Sequence, residues 1–214
     1  MNARLLAFAI VCTAGLTSGC ALTSKATALA PRFFSPEPVP SAGESREREG
    51  EPLELRLGSV GAASHLDERI SYRVHELELG YYDDRRWTEH PEEYLRRALE
   101  QELFDRRQLR RIVSGPAVTL DVELTAFEEL REANGRVRLA LRFTLHDDRK
   151  ALLEKRVVVE RPLEADRGAE HAQRVAAALG LALATAVTQL SDDLTRELSA
   201  ERSRVEASTA KQGS

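Results

Sequence analysis

The side chains in this sequence that could perform catalysis are spaced so that they do not act together. None of the five histidines stands in an HExxH motif or at another paired-ligand spacing. Ser59 and Ser64 lie near His65, but no acid can be placed beside them to orient the imidazole. Glu128 and Glu129 are neighbours, and neighbours in a strand point to opposite faces of a sheet, which makes a poor acid–base pair. The sequence therefore predicts no enzyme, no metal site and no cofactor. The histidines are His65, His75, His90, His146 and His171.

The cysteine at position 20 has a more specific context. An uncharged apolar stretch from Leu5 to Leu16 follows Arg4, which is typical of a secretory signal, and it is too short to span a hydrocarbon core of about 30 Å. The small residues before Cys20 resemble the lipobox of bacterial lipoproteins. That resemblance implies a signal peptide over residues 1–19, with diacylglycerol on the Cys20 sulfur and an N-acyl chain. The alternative is an ordinary secretory signal with an incidental cysteine.

Composition divides the rest of the 214 residues into three parts. A proline-rich stretch over residues 20–52 predicts a tether, whose fully extended length is near 100 Å. Residues 53–200 are long enough to bury a core, and residues 201–214 predict a polar disordered tail. The formal net charge of −4 argues against binding nucleic acid. Phe33 and Phe34, inside the tether, are either solvated or docked on the domain.

Hydrophobic periodicity predicts an α+β domain. Alternating apolar and polar residues indicate strands, and apolar residues at helical spacing indicate helices near Leu95 and from Gly168 to Leu198. Asn134 and Gly135 favour a tight hairpin turn between two of the strands. We therefore expect an antiparallel meander with two helices packed on one face, in the order β-β-β-α-β-β-β-α. The predicted strands start near residues 53, 70, 77, 118, 137 and 152.

The segment from Tyr81 to Pro91 carries the only tryptophan, two of the four tyrosines and a double arginine. Aromatic and arginine side chains are the usual anchors of protein interfaces. Tyr81, Tyr82, Arg86 and Trp87 are therefore candidate partner-binding residues. The alternative is internal, with Trp87 completing the core and Arg86 stacked on it or paired with an aspartate.

Ile70-Ser71-Tyr72-Arg73, Tyr81-Tyr82 and Arg86 to Pro91, followed by an amphipathic helix, resemble the ABC-type transport auxiliary lipoproteins, the PqiC-like family. This resemblance implies a non-catalytic accessory held on the periplasmic face of the outer membrane. It implies partners too: an MCE-type periplasmic protein, an inner-membrane ABC transporter and a possible ring of identical copies. An outer-membrane assembly lipoprotein for a β-barrel or glycolipid machine is the second hypothesis, and a secreted small hydrolase is the third.

Overall fold

A computed structural model describes residues 30–36, 52–75, 77–131, 135–163 and 170–212. Cys20 and the predicted signal peptide lie outside these ranges. The described residues from 31 onward form one compact unit.

The described elements are eight strands, two α-helices and a π-helical turn directly after the first helix. The strands are β1 (Arg32–Phe34), β2 (Glu54–Ala62), β3 (Arg69–His75), β4 (Glu78–Trp87), β5 (Arg110–Arg111), β6 (Thr119–Leu130), β7 (Arg136–His146) and β8 (Ala151–Pro162). The helices are α1 (Pro91–Glu100), the π-helical turn (Gln101–Arg106) and α2 (His171–Gln212).

The sheet is mixed, which corrects the prediction of a purely antiparallel meander. Strands β6, β7 and β8 form an antiparallel meander, and β3 pairs antiparallel with β4. The second edge of β6, however, pairs in parallel with β2 along its first half and with β3 along its last three residues. The two short strands β1 and β5 were not predicted, and they also pair in parallel, with β4 and β2. Parallel pairs join segments far apart in the chain, so local periodicity carries no signal for them.

The two helices contact each other and cover the apolar side of this sheet. On β7 the residues Val137, Leu139, Leu141, Phe143 and Leu145 are buried because they alternate toward the helices. Helix α1 begins at Pro91 with Glu92 and Glu93 in its first turn, where the helix dipole favours acids.

Helix α2 is the most buried helix. By length and composition, residues 171–204 could cross a membrane, but 61% of the most apolar window is buried against the rest of the fold. Val175, Leu179, Leu190 and Leu194 are fully enclosed in the same core as the sheet residues. The helix is therefore a core element of the domain.

Both ends of the domain are more ordered than composition predicts. Strand β1, within the predicted tether, pairs with β4 and buries Phe34, while Phe33 stays 59% exposed. Helix α2 continues through residues 201–212, where a disordered tail was expected. Good helix formers fill that stretch, and Arg204 bridges Glu201 at 2.6 Å and Glu197 at 3.2 Å, which supports the last turns.

Candidate partner-binding site

An irregular pairing of β3 with β4 displays part of the predicted site. Arg69 lies opposite Arg86 and Ser71 lies opposite Tyr81, so two steps along β3 match five steps along β4. The extra residues of β4 bulge from the ladder, and bulges re-aim side chains. Tyr82 and Arg85 lie in this bulged part of the strand.

Two tyrosines and two arginines stack on one another beside the bulge. The rings of Tyr72 and Tyr82 meet edge to face with their centroids 5.4 Å apart. The Arg131 guanidinium carbon lies 3.3 Å from the Tyr72 centroid and 4.5 Å from that of Tyr82. The Arg85 guanidinium lies 4.4 Å from the Tyr82 centroid, so Tyr82 stands between two cations.

A buried carboxylate, Glu129, holds this group in place through hydrogen bonds. Its side chain is 3% exposed, its Oε2 accepts a hydrogen bond from the Tyr82 hydroxyl at 2.5 Å, and its Oε1 lies 2.7 Å from His171 Nε2. Arg131 donates to the same carboxylate at 3.3 Å. Burial and the hydrogen bond to Glu129 raise the pKa of Tyr82, so its hydroxyl remains a donor. We call Tyr72, Tyr82, Arg85, Glu129 and Arg131 the tyrosine–arginine cluster.

The neighbouring carboxylate Glu128 points to the opposite face of β6. Its Oε1 accepts hydrogen bonds from Arg73 at 3.1 Å and from Arg138 at 2.5 Å, and its side chain is fully buried. Glu128 and Glu129 therefore serve two separate ion networks, as expected of adjacent strand residues.

The side chains of Tyr81 and Arg86, two other predicted site residues, do not join the stacked rings and guanidinium groups of the cluster. The Tyr81 hydroxyl donates to the His65 carbonyl at 2.8 Å, and the Arg69 guanidinium stacks 4.0 Å from the Tyr81 centroid. Arg86 donates to the carbonyls of Tyr82 and Arg85, which stabilises the bulge.

Trp87 is 1% exposed and takes the internal position that the sequence left open. Its ring contacts Phe127 at 5.2 Å and Tyr94 at 6.3 Å between centroids. Of the four candidate partner-binding residues, only Tyr82 belongs to the tyrosine–arginine cluster.

Sequence reasoning missed Tyr72, Arg85, Glu129 and Arg131 as site residues. Tyr72 stands in a motif already singled out, but its contact with Arg131 depends on the parallel pairing of β3 with β6. Glu129 faces the helices because a register shift between Leu124 and Ala126 inverts the alternation of β6. A break in alternation after Leu124 is visible in the sequence and could have indicated this inversion.

The side chains of the cluster are already ordered, which is the arrangement that favours a protein interface. Tyrosine and arginine are enriched at the centres of interfaces, and each of these four side chains is already held by stacking or a hydrogen bond. Within the part of the chain that the structure describes, no group of three or more histidine, cysteine, aspartate or glutamate residues could hold a metal ion.

Comparison with known structures finds the same fold in other proteins. A Xanthomonas campestris protein of family DUF330 is 19% identical with a TM-score of 0.64, over 81% of this chain and 99% of that one. A structure described as an uncharacterized protein is 13% identical with a TM-score of 0.59, over 77% and 99% of the two chains. At these identities the likeness shows the fold alone. No match is found among curated proteins.

A match to a family model assigns the chain to a protein family, which the structural likeness alone does not do. The model of the ABC-type transport auxiliary lipoprotein component matches residues 36–195, which include β2 to β8, α1 and most of α2. The resemblance noted in the tyrosine and tryptophan motifs is thereby confirmed. The chain belongs to the ABC-type transport auxiliary lipoprotein family.

Proposed function

We propose that this protein is a non-enzymatic, outer-membrane-anchored lipoprotein that docks the periplasmic conduit of an MCE-type lipid transport system at the outer membrane. Membership of the auxiliary lipoprotein family carries the proposal, since an auxiliary component acts with a transport system. The direct partners in this proposal are an MCE-type periplasmic protein and the inner-membrane ABC transporter behind it.

Lipidation of Cys20 is the proposed means of attachment. Several acyl chains on one residue bind a bilayer stably, whereas a single chain binds only marginally. Ala21, which follows the cysteine, favours sorting to the outer membrane by resemblance to lipoproteins of enteric bacteria.

The tyrosine–arginine cluster is the surface proposed to contact the partner. Its side chains are preorganised and half-buried, and Glu129 already accepts hydrogen bonds from Tyr82 and Arg131 and contacts His171, so docking does not leave this carboxylate without partners. The side chain of Arg131 is 35% exposed and reaches the surface above both rings.

Capture of the partner from detergent extracts tests the proposal. The wild-type chain should recover an MCE-type protein or its transporter, and Arg131→Ala should reduce this recovery severalfold because it removes the cation shared by the two tyrosines. Arg69→Ala is the matched control, since Arg69 also stacks on a tyrosine, Tyr81, outside the cluster. Melting temperatures of both variants show whether folding is preserved.

Two outcomes would contradict the proposal. Recovery of a β-barrel protein alone would favour the assembly-lipoprotein hypothesis instead. Equal recovery by the Arg131 and Arg69 variants would remove the cluster as the docking surface.

A separate variant tests the anchor. Cys20→Ala should move the protein out of the outer-membrane fraction, and an unchanged distribution would exclude lipidation at this residue.

A further inference from the structure

We infer that the outer edge of β8 is a self-association surface, on which two copies of this chain pair antiparallel about a two-fold axis through Val158. The inference does not depend on the proposed transport function. Among the described residues β8 pairs only with β7, so the other edge of this 12-residue strand presents unpaired backbone groups.

The outward face of β8 carries a cation that lacks an acid. Arg156 is exposed and has no ion-pair or hydrogen-bond partner among the described residues. Its cross-strand neighbour on β7 is another cation, Arg142, which is already bonded to Glu123 at 2.6 Å. Like charges opposite each other in a sheet are destabilising, so an acid supplied from outside the monomer would stabilise this position.

A hydrophobic residue and an acid follow on the same face. Val158 is 47% exposed, and Glu160 is bonded to Arg136 at 2.9 Å with 35% of its side chain still accessible. Read along the strand, the outward residues are therefore arginine, valine and glutamate at alternate positions. An antiparallel partner strand that matches them must place glutamate opposite the arginine, valine opposite the valine and arginine opposite the glutamate. A second copy of β8 does this, because it runs in the opposite direction.

A two-fold axis perpendicular to the sheet through Val158 gives each of these three residues a complementary partner in the second copy. Directly opposite residues then have numbers that sum to 316, so Val158 meets Val158 of the second copy, and Arg156 meets Glu160 twice. Because the sum of the two residue numbers is even, directly opposite residues point to the same face of the joined sheet, as antiparallel pairing requires. On the helix side Val157 meets Val159.

One pair in this register is unfavourable, and the monomer already compensates part of it. Lys155 falls opposite Arg161 of the second copy, but its ammonium is bonded to Asp193 of α2 at 2.9 Å. Shifting the register by two residues would place Glu154 opposite Glu160 and leave Arg156 opposite Val158. Of these two registers, the one centred on Val158 is the one that charge complementarity favours. The contact is isologous and closes as a dimer.

A charge reversal measured on the full chain in mild detergent tests the dimer. Arg156→Glu replaces two attractive cross-strand pairs with two repulsive ones and should raise the dimer dissociation constant about tenfold or more. Arg149→Glu is the matched control, because Arg149 is exposed on the β7–β8 turn outside the pairing and should change it less than about twofold. Sedimentation or light scattering gives both constants.

Disulfide formation tests the register independently of folding effects in the charge variants. Val158→Cys should crosslink two copies under mild oxidation, since cross-strand Cβ atoms about 4.5–5.5 Å apart are close to disulfide geometry. Ala151→Cys, exposed at the start of the same strand, should not, and the wild-type chain reports any background from its own cysteines. A monomeric wild-type chain at micromolar concentration, equal effects of the two charge variants, or equal crosslinking of the two cysteine variants would each overturn the inference.

Discussion

Gly80 controls the position of Tyr72, and an added methyl group there tests the tyrosine–arginine cluster. Gly80 lies opposite Tyr72 in the β3–β4 ladder. A Cβ at Gly80 would lie 2.5 Å from Cζ and 2.7 Å from the hydroxyl oxygen of Tyr72, closer than such atoms approach in proteins. Gly80→Ala must therefore move the ring.

The expected loss in the free energy of unfolding of Gly80→Ala has two contributions. Overpacking of this kind costs about 1–3 kcal/mol, and displacing the ring from Arg131, now 3.3 Å from its centroid, removes a cation–π contact of about 0.5–1 kcal/mol. Because the ring end can swing away, the lower part of the first range applies, and we expect a loss of about 2 kcal/mol. Gly61 in β2 is the matched control, since a Cβ there meets no atom within 4 Å. Gly61→Ala should be neutral, or stabilising by up to about 1 kcal/mol.

Urea unfolding followed by tryptophan fluorescence measures both variants, because Trp87 is the single tryptophan and is buried. The two alanine variants should differ by about 2 kcal/mol in the free energy of unfolding, since the backbone gain from replacing a strand glycine applies to both. Partner capture by Gly80→Ala should also fall, since Tyr72 leaves the cluster. Equal urea midpoints for the two variants would show that the Tyr72 ring does not rest on Gly80, and the geometry of the cluster would then be wrong.

Two further predictions concern stability. Trp87→Ala should lower the free energy of unfolding by about 3–5 kcal/mol because it empties a fully buried site. This variant has no tryptophan, so its urea unfolding is followed by far-UV circular dichroism, and an unchanged midpoint would contradict the core assignment. The second concerns pH. The carbonyl of Asp147 and the carboxylate of Asp121 raise the pKa of His146, while Ser59 and His146 outweigh burial and lower the pKa of Asp121. The stabilisation from the pair should be fully present between about pH 4 and 6.5, decline above that range as His146 loses its proton, and decline below it as Asp121 gains one. His146→Gln should flatten the pH dependence of the urea midpoint on the alkaline side, and an unaltered profile would exclude this pair as its source.

The elements that the sequence predicts well are those with local signals. Alternation along β6, β7 and β8 and the leucine stripe of α2 each depend on a repeat of two or of three to four residues, and both repeats are visible without the fold. The burial of Val137 to Leu145 at every second position follows directly from this pattern.

The features that the sequence does not predict depend on distant segments or on broken patterns. Strand β1 has only three residues, and its partner β4 lies about fifty residues later, so nothing local distinguishes it from a tether. The cluster needs the β3–β6 pairing to bring Tyr72 to Arg131 and the bulge in β4 to turn Tyr82 toward them. Composition alone pointed to the strand that carries Tyr82, but it selected Trp87, whose size makes it as useful to the core as to an interface.

If Cys20 is lipidated as proposed, strand β1 limits how far the domain can stand from a bilayer. Eleven peptide steps separate Cys20 from Pro31, so a chain anchored at Cys20 extends at most about 40 Å before it meets the sheet, less than half the length expected of a free segment to residue 52. A force applied at the anchored residue would then act on the hydrogen bonds between Arg32–Phe34 and β4. With the proposed anchor at Cys20, the strand that carries Tyr82 would also be the strand that bears this force, and the proposed partner surface would lie close to the lipid.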